Sequence, residues 1–83
     1  MNITDVRVKK VDGTTSTKAQ VSVTIDDALV IHDIRVVEGK NGLFVAMPSK
    51  KVGDKYVDIS HPVTANSRTM LIDAVLDQYH RQA

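Results

Sequence analysis

The chain has 83 residues, and its 11 Lys or Arg against 10 Asp or Glu give a net charge of only +1, which argues against a uniformly basic surface. Hydrophobic residues make up 42% of the chain, a share typical of folded domains, and the length leaves room for one domain over residues 1–83. So small a domain is only marginally stable alone, and without cysteine it has no disulfide to stabilise it, so we expect a homodimer. The absence of cysteine also suits a reducing compartment, and we expect the protein in the cytoplasm.

The first part of the chain predicts two strands. Residues 1–5 have neither the basic nor the apolar region of a signal peptide, and no apolar run approaches the roughly 18 residues of a membrane span. Apolar and charged residues alternate over 3–11, which indicates a half-buried strand. The alternation is cleaner over 19–25, and Asp26-Asp27 then turns the chain. Between the two strands, the Gly, Thr and Ser residues of 13–17 predict a loop.

Residues 29–37 are the longest predicted strand, and both faces carry apolar side chains. Strict alternation assigns one face to Val30, His32, Ile34 and Val36. It assigns the second face to Leu29, Ile31, Asp33, Arg35 and Val37. A strand that is apolar on both faces is typical of a central strand, or of one partly covered by a second subunit. We therefore expect Ile31, Arg35 and Val37 to form the homodimer interface.

Turn signals divide the next part of the chain. Asn41-Gly42 predicts a type I′ turn between the long strand and a fourth strand over 43–47. Pro48 ends the fourth strand because it has no N–H for a ladder. The basic segment that follows is expected on a rim of the sheet. A turn at Gly53-Asp54 leads into a short fifth strand over 55–59.

After Pro62 the pattern changes to a helical period. Apolar residues recur at positions 71, 72, 75, 76 and 79, which form one stripe and predict a helix over 66–81. Thr64, Asn66 and Ser67 are all competent N-caps, and the position of the stripe favours Asn66 or Ser67. The predicted fold class is α+β, a small antiparallel meander of four to five strands closed by one C-terminal helix.

The residues that carry chemistry indicate neither a metal site nor an active site. His32 is expected to be buried or in an interface with one ring nitrogen satisfied, His61 to anchor the junction before the helix, and His80 to lie in the last helical turn. Three separated histidines without cysteine are a poor metal signature. No serine lies in a G-x-S-x-G elbow and no glycine in a phosphate loop, so we expect no enzyme and no cofactor.

Local basic clusters are the remaining candidates. Lys50, Lys51 and Lys55 flank the loop between the fourth and fifth predicted strands, Arg68 lies in the first helical turn, and Arg81 lies near the last. Four further basic residues gather around the first two strands: Arg7, Lys9, Lys10 and Lys18. On the residues alone, a solubilising surface that also discourages edge-to-edge aggregation is the simpler interpretation. The other is a surface that contacts phosphates, which would be salt-sensitive and largely blind to base sequence.

Several segments in order resemble the stage V sporulation protein G (SpoVG) family of bacterial septation regulators. They comprise residues 4–7 (TDVR), the run 30–51, residues 58–62 (DISHP) and residues 73–81 (DAVLDQYHR). The resemblance covers nearly the whole chain at near-constant spacing. It implies a small cytoplasmic dimer that binds DNA and RNA and tunes gene expression, septation and sporulation without catalysis.

The resemblance also implies where nucleic acid is bound. In the family, the loop after the Met47-Pro48-Ser49 motif is basic, and Lys50 and Lys51 match it. Arg68 matches a basic position at the start of the family's helix, whereas Met70 stands where relatives carry lysine. Relatives often continue into an acidic tail, and this sequence stops at residue 83. The alternative function is a protein-interaction adaptor, in which exposed strands of the homodimer recruit a partner by strand addition.

Overall fold

The computed structural model describes residues 2–11 and 16–82, so most of the predicted loop over 13–17 lies outside the described residues. The described part of the chain contains six strands and one helix: β1 (Ile3–Lys10), β2 (Thr17–Ile25), β3 (Leu29–Gly39), β4 (Gly42–Ala46), β5 (Ser49–Val52), β6 (Lys55–Asp58) and α1 (Ala65–Arg81).

The strands form two antiparallel sheets. Strands β1 to β4 form a four-stranded meander in chain order, and β5 pairs with β6 in a separate two-stranded sheet. With the C-terminal helix, this arrangement confirms the predicted α+β class. The predicted fifth strand is β6, but the basic segment before it forms β5, which the alternation did not predict. Because Pro48 has no N–H for the ladder, the chain leaves the meander there and begins a second hairpin.

The core lies between the helix and one face of the meander. Its fully buried side chains are small or aliphatic: Ala19, Val21, Val23, Ile34, Val36, Leu71 and Val75. Three of them alternate along β2, which confirms the prediction for that strand. Each buried Val, Leu or Ile contributes about 1.5–3 kcal/mol by leaving water. Among the described residues no polar or charged side chain is buried, so the core depends on aliphatic packing.

The face pattern predicted for β3 is wrong in its first half, because β3 contains a β-bulge. The register with β2 shifts between Val21 and Val23, so two residues of β3 lie opposite one residue of β2. One of the two, Asp33, has a φ of +65°. A bulge moves the alternation by one residue, and Ile31 therefore packs against the core instead of lying on the outer face.

The same bulge moves His32 to the outer face of the meander, which is the face without the helix. His32 is exposed, so burial within the chain, one of its two expected environments, is wrong, and a place in an interface stays a prediction. Its Nδ1 lies 3.0 Å from Oγ of Ser22, so the expectation of one satisfied ring nitrogen is confirmed. Beyond the bulge the alternation resumes as predicted, and Arg35 and Val37 lie on the outer face.

A turn joins β3 to β4 as predicted, but it is not the predicted type I′ turn at Asn41-Gly42. Gly39 pairs with Gly42, so the central residues of the turn are Lys40 and Asn41, and neither has a positive φ. The glycine comes one position later, with a φ of +114°. A hairpin turn that is followed by a glycine with a positive φ is a common alternative to the type I′ turn.

Among the described residues, the turn with two successive positive φ angles is instead Asp26-Asp27, at +54° and +52°. The N–H of Ala28 donates to the carbonyl of Ile25 at 3.0 Å and closes it. Asn2 ties the turn to the start of the chain, because its N–H donates to Oδ1 of Asp26 at 2.9 Å and its carbonyl accepts from the Asp26 N–H at 2.8 Å. Aspartate tolerates the left-handed region better than most residues, which suits it to this turn.

Changing Asp33 to Val should lower the free energy of unfolding by about 1–2 kcal/mol, because a β-branched residue does not tolerate the left-handed conformation of the bulge. Asp33→Gly is the matched control and should stay within about 0.5 kcal/mol of the parent or exceed it. Urea denaturation of the three proteins measures the effect. Equal stability of the Val and Gly variants would contradict the bulge.

Candidate functional site

The hairpin of β5 and β6 carries three of the predicted binding residues, Lys50, Lys51 and Lys55. All of its strand residues except Ser49 are exposed. Its strands are joined by the two-residue turn Gly53-Asp54, in which the glycine has a φ of +61°. Glycine at the first central position is typical of a type II′ hairpin turn. The hairpin therefore presents its lysines to solvent and not to a core.

The three lysines lie on both faces of the hairpin. Lys51 pairs directly with Tyr56, so their side chains share one face. Lys50 pairs with Val57 and lies on the other face, together with Lys55. One face thus combines a lysine with an aromatic ring, and the other combines two lysines with aliphatic side chains.

The helix begins at Ala65, and its N-cap is Thr64 rather than the predicted Asn66 or Ser67. Oγ1 of Thr64 accepts from the N–H of Ser67 at 3.1 Å, and the N–H of Thr64 donates to Oγ of Ser67 at 3.3 Å. This reciprocal capping box fixes the direction in which the helix leaves the linker, the segment 59–64 between β6 and α1. The first turn contains no acidic residue, so none of its own side chains offsets the positive end of the helix dipole near Arg68.

The start of the helix and strand β6 border one surface groove of about 420 Å³. It is lined by Tyr56, Val57, Asp58, His61 and Arg68. Nη2 of Arg68 donates to the carbonyl of Pro62 at 3.4 Å, which keeps the guanidinium beside the linker. Nδ1 of His61 lies 3.1 Å from the same carbonyl oxygen, at the junction that this histidine is predicted to anchor. The structure thus brings Arg68 next to the lysine-bearing hairpin, although the two are separated in sequence.

Tyr56 lies between this groove and a larger cleft of about 700 Å³, where the hairpin meets the outer face of the meander. The cleft is lined by Gln20, Asp33, Arg35, Ser49 and Tyr56. Tyr56 is 74% exposed. Tyr56 is not among the binding residues predicted from the sequence. The available signal was the Gly53-Asp54 turn, which places Tyr56 opposite Lys51 once a strand before the turn is assumed.

Arg81 lies at the opposite end of the helix from Arg68. At 1.5 Å per residue, the two arginines are about 20 Å apart along the helix axis. Nε of Arg81 lies 3.0 Å from Oδ2 of Asp77, one helical turn earlier. Arg81 is therefore far from the groove. Its predicted contact with nucleic acid would have to be made apart from the hairpin lysines and Arg68.

The basic residues near the first two strands do not form one cluster. Arg7 and Lys18 are each in an ion pair with an acidic neighbour, at 3.0 and 3.3 Å. Nζ of Lys10 lies 4.9 Å from the ring centroid of Tyr79, on the helix side of the meander. Exposed ion pairs contribute about 0–1 kcal/mol to stability, but they reduce the positive potential of this region.

The three histidines lie on different parts of the fold: one in β3, one in the linker and one in the helix. Within residues 2–11 and 16–82, no group of three or more His, Cys, Asp or Glu side chains is arranged to hold a metal ion. In the same described ranges, no helix has the length and apolar character needed to cross a membrane.

Comparison with known proteins gives one consistent result. The family model described as SpoVG matches residues 1–81. Three similar proteins each bear the name "Putative septation protein SpoVG". The one from Clostridioides difficile is 54% identical over 81 residues, which cover 96% of this chain and 88% of that protein. The one from Desulforudis audaxviator is 53% identical over 85 residues (100% and 97%), and the one from Alkaliphilus oremlandii 48% over 84 residues (100% and 90%).

Changing Thr64 to Ala should lower the free energy of unfolding by about 1 kcal/mol, because the capping box loses its hydroxyl acceptor. Thr69→Ala is the matched control, since its hydroxyl donates to the carbonyl of Ala65 on an exposed helix face and its loss should cost less than about 0.5 kcal/mol. Thermal and urea denaturation measure both. A larger effect at Thr69 than at Thr64 would contradict the assignment of the cap.

Proposed function

The chain belongs to the SpoVG family, and we propose on that basis that it acts in septation and sporulation. In this proposal it is a cytoplasmic homodimer without catalytic activity, which regulates gene expression by binding DNA and RNA. The names of its relatives support the role in septation. Support for nucleic-acid binding comes from the family resemblance and from the geometry of the groove.

One observation carries the proposal: Arg68 borders the same groove as the hairpin that bears Lys50, Lys51 and Lys55. The sequence has almost no net charge, so any phosphate-binding surface must arise by local concentration of cations. The fold brings these four cations to one end of the molecule. A homodimer would present two such groups.

The chemistry of binding follows from these groups. Lysine side chains on a projecting hairpin reach the phosphates as point charges. The arginine lies next to the positive end of a helix dipole, where an anion is stabilised. Such contacts position a nucleic acid without reading its bases and release counterions as they form. The proposed binding is therefore salt-dependent and modest in its sequence preference.

We propose that the homodimer forms through the outer face of the meander around Arg35 and Val37. Val37 pairs with Phe44 across β3 and β4, and Phe44 is 49% exposed, so the two form an apolar patch. A Cβ on Gly39 would lie 3.0 Å from the Phe44 ring, so glycine leaves room for the ring at this point. Ile31, the third residue of the predicted interface, packs on the core side, and we leave it out of the proposal.

The adaptor function remains the second candidate, because the hairpin also exposes apolar side chains. Val52, Tyr56 and Val57 are each about half exposed or more. Strands β5 and β6 pair in a two-stranded sheet, so each has an outer edge on which a partner strand could pair. In this alternative the lysines serve only to keep the hairpin soluble.

Changing Lys50 and Lys51 together to Glu should weaken binding to duplex DNA and to single-stranded RNA about 10-fold or more, because attraction becomes repulsion at two positions. The slope of log affinity against log salt should fall by at least about 1. Lys40→Glu is the control, a charge reversal in the distant β3–β4 turn, and should change affinity less than about 3-fold. Fluorescence anisotropy at several salt concentrations measures all three proteins. Unchanged affinity of the double variant for every nucleic acid would reject this site.

Changing Val37 to Arg should convert the homodimer to a monomer, because it introduces a charge into an apolar contact. Val52→Arg, on the exposed hairpin, is the matched control and should leave the dimer intact. Sedimentation velocity of each variant at several protein concentrations gives the oligomeric state. Dissociation by the Val52 variant alone would move the interface to the hairpin, and a monomeric parent protein would refute the dimer.

A further inference from the structure

Tyr56 is unusually exposed for an aromatic residue in a strand. The residue is 74% exposed, and it is the one aromatic residue of the hairpin. Tyr79 gives an internal comparison: it packs against the core, with Nζ of Lys10 4.9 Å from its ring centroid and the ring of His80 at 5.6 Å. The ring of Tyr56 is thus open to an external ligand, whereas that of Tyr79 is occupied within the fold.

The groove beside Tyr56 is chemically mixed. Four of the residues that line it carry different functional groups: the phenol ring of Tyr56, the guanidinium of Arg68, the carboxylate of Asp58 and the imidazole of His61. Its volume of about 420 Å³ lies in the range of small-ligand sites. If the groove bound only phosphate, the carboxylate of Asp58 would lower its affinity by repulsion between like charges. A nucleobase fits this mixture better, because its face stacks on aromatic or guanidinium planes and its N–H groups donate to a carboxylate.

The position of Lys51 links this groove to the proposed phosphate contacts. Lys51 is the direct cross-strand neighbour of Tyr56, and their side chains project from the same face of the hairpin. A base on the ring therefore leaves its phosphate near Lys51, and Arg68 lines the same groove as the ring. This arrangement matches the way in which single strands are held, by cations that follow the backbone and aromatic rings that stack the bases.

We propose that the groove of Tyr56, Asp58 and Arg68 binds one unstacked base of a single-stranded nucleic acid, with Tyr56 as its stacking platform. The inference rests on the proposed function and names the form of nucleic acid that this site selects. Bases in a duplex are paired and stacked, so they do not reach the ring. The site adds affinity for single strands only, while the lysines act on single strands and duplexes alike. One tyrosine per chain gives one base per groove rather than an extended platform.

The test compares one labelled oligonucleotide of about 12 nucleotides as a single strand and as a duplex, by fluorescence anisotropy with the full chain. Tyr56→Ala should lower affinity for the single strand about 5- to 100-fold, with duplex affinity within about 2-fold. Tyr56→Phe retains the ring and should bind the single strand as the parent does. Val52→Ala, at an exposed position of the same hairpin outside the groove, is the control for loss of apolar area and should bind both forms as the parent does. Circular dichroism should show every variant folded, because both positions are exposed.

The outcomes separate this inference from the proposed function. Loss of single-strand affinity in Tyr56→Ala, with rescue in Tyr56→Phe, supports the stacking site. If Lys50→Glu with Lys51→Glu weakens binding but Tyr56→Ala changes neither affinity, or changes both equally, the stacking site is refuted and phosphate binding stands. Binding of the duplex alone also refutes it. If the parent protein binds neither form at low salt, the proposed function fails and this inference fails with it.

Discussion

The whole molecule depends on the packing of a single helix against one face of a four-stranded meander. Leu71 and Val75 supply the helix side of that contact, and β2 and β3 supply the other buried side chains. The core is aliphatic and thin, and among the described residues it contains no buried polar group that would fix its register by hydrogen bonding. Register must therefore come from the periodicity of the strands and from the turns that join them. The one-sided core also leaves the second face of the sheet to other uses.

The location of the candidate site follows from that packing. Pro48 ends the meander at β4, and the helix must return across the sheet to bury its apolar stripe. The hairpin lies between these two points in sequence, so its strands and the first turn of the helix meet at one end of the fold. The capping box of Thr64 and Ser67 then sets the direction of the helix. Arg68 therefore lies near the hairpin because of the path of the chain and the capping box. No direct contact between Arg68 and the hairpin lysines is needed to place it there.

Much of the fold could be predicted from alternation, because period two and period 3.6 report directly on which faces are buried. The prediction of buried faces failed where a β-bulge shifts the alternation of a strand, because a bulge leaves no mark on the amino-acid composition of that strand. The bulge at Asp33 inserts one residue, and nothing in the alternation over 29–37 distinguishes the two possible face assignments. Strand β5 was missed because its residues are almost all exposed and carry no apolar alternation. The cap was misassigned since Ser67 can serve as a cap or as the partner of one.

The candidate site was predictable in its charges and not in its shape. Lysines after a proline stop are expected on a surface, and the resemblance singled out Lys50, Lys51 and Arg68. No periodicity tells whether a hairpin lies against the body or away from it, and the exposure of Tyr56 depends on that alone. The separation of Arg81 from Arg68 was predictable, because a helix over 66–81 already places the two arginines about 20 Å apart along its axis.

The closure at the base of the hairpin has a consequence for how such proteins diverge. The N–H of Ile59 donates to the carbonyl of Pro48 at 2.7 Å, and Pro48 is itself buried. The segment between them begins and ends at the same place, and its strands add no side chain to the buried core. Because it is closed at its base and outside the core, we expect changes in its length and residues to have little effect on the folding free energy of the domain. Selection can therefore alter the surface at one end of the molecule without passing through unstable intermediates.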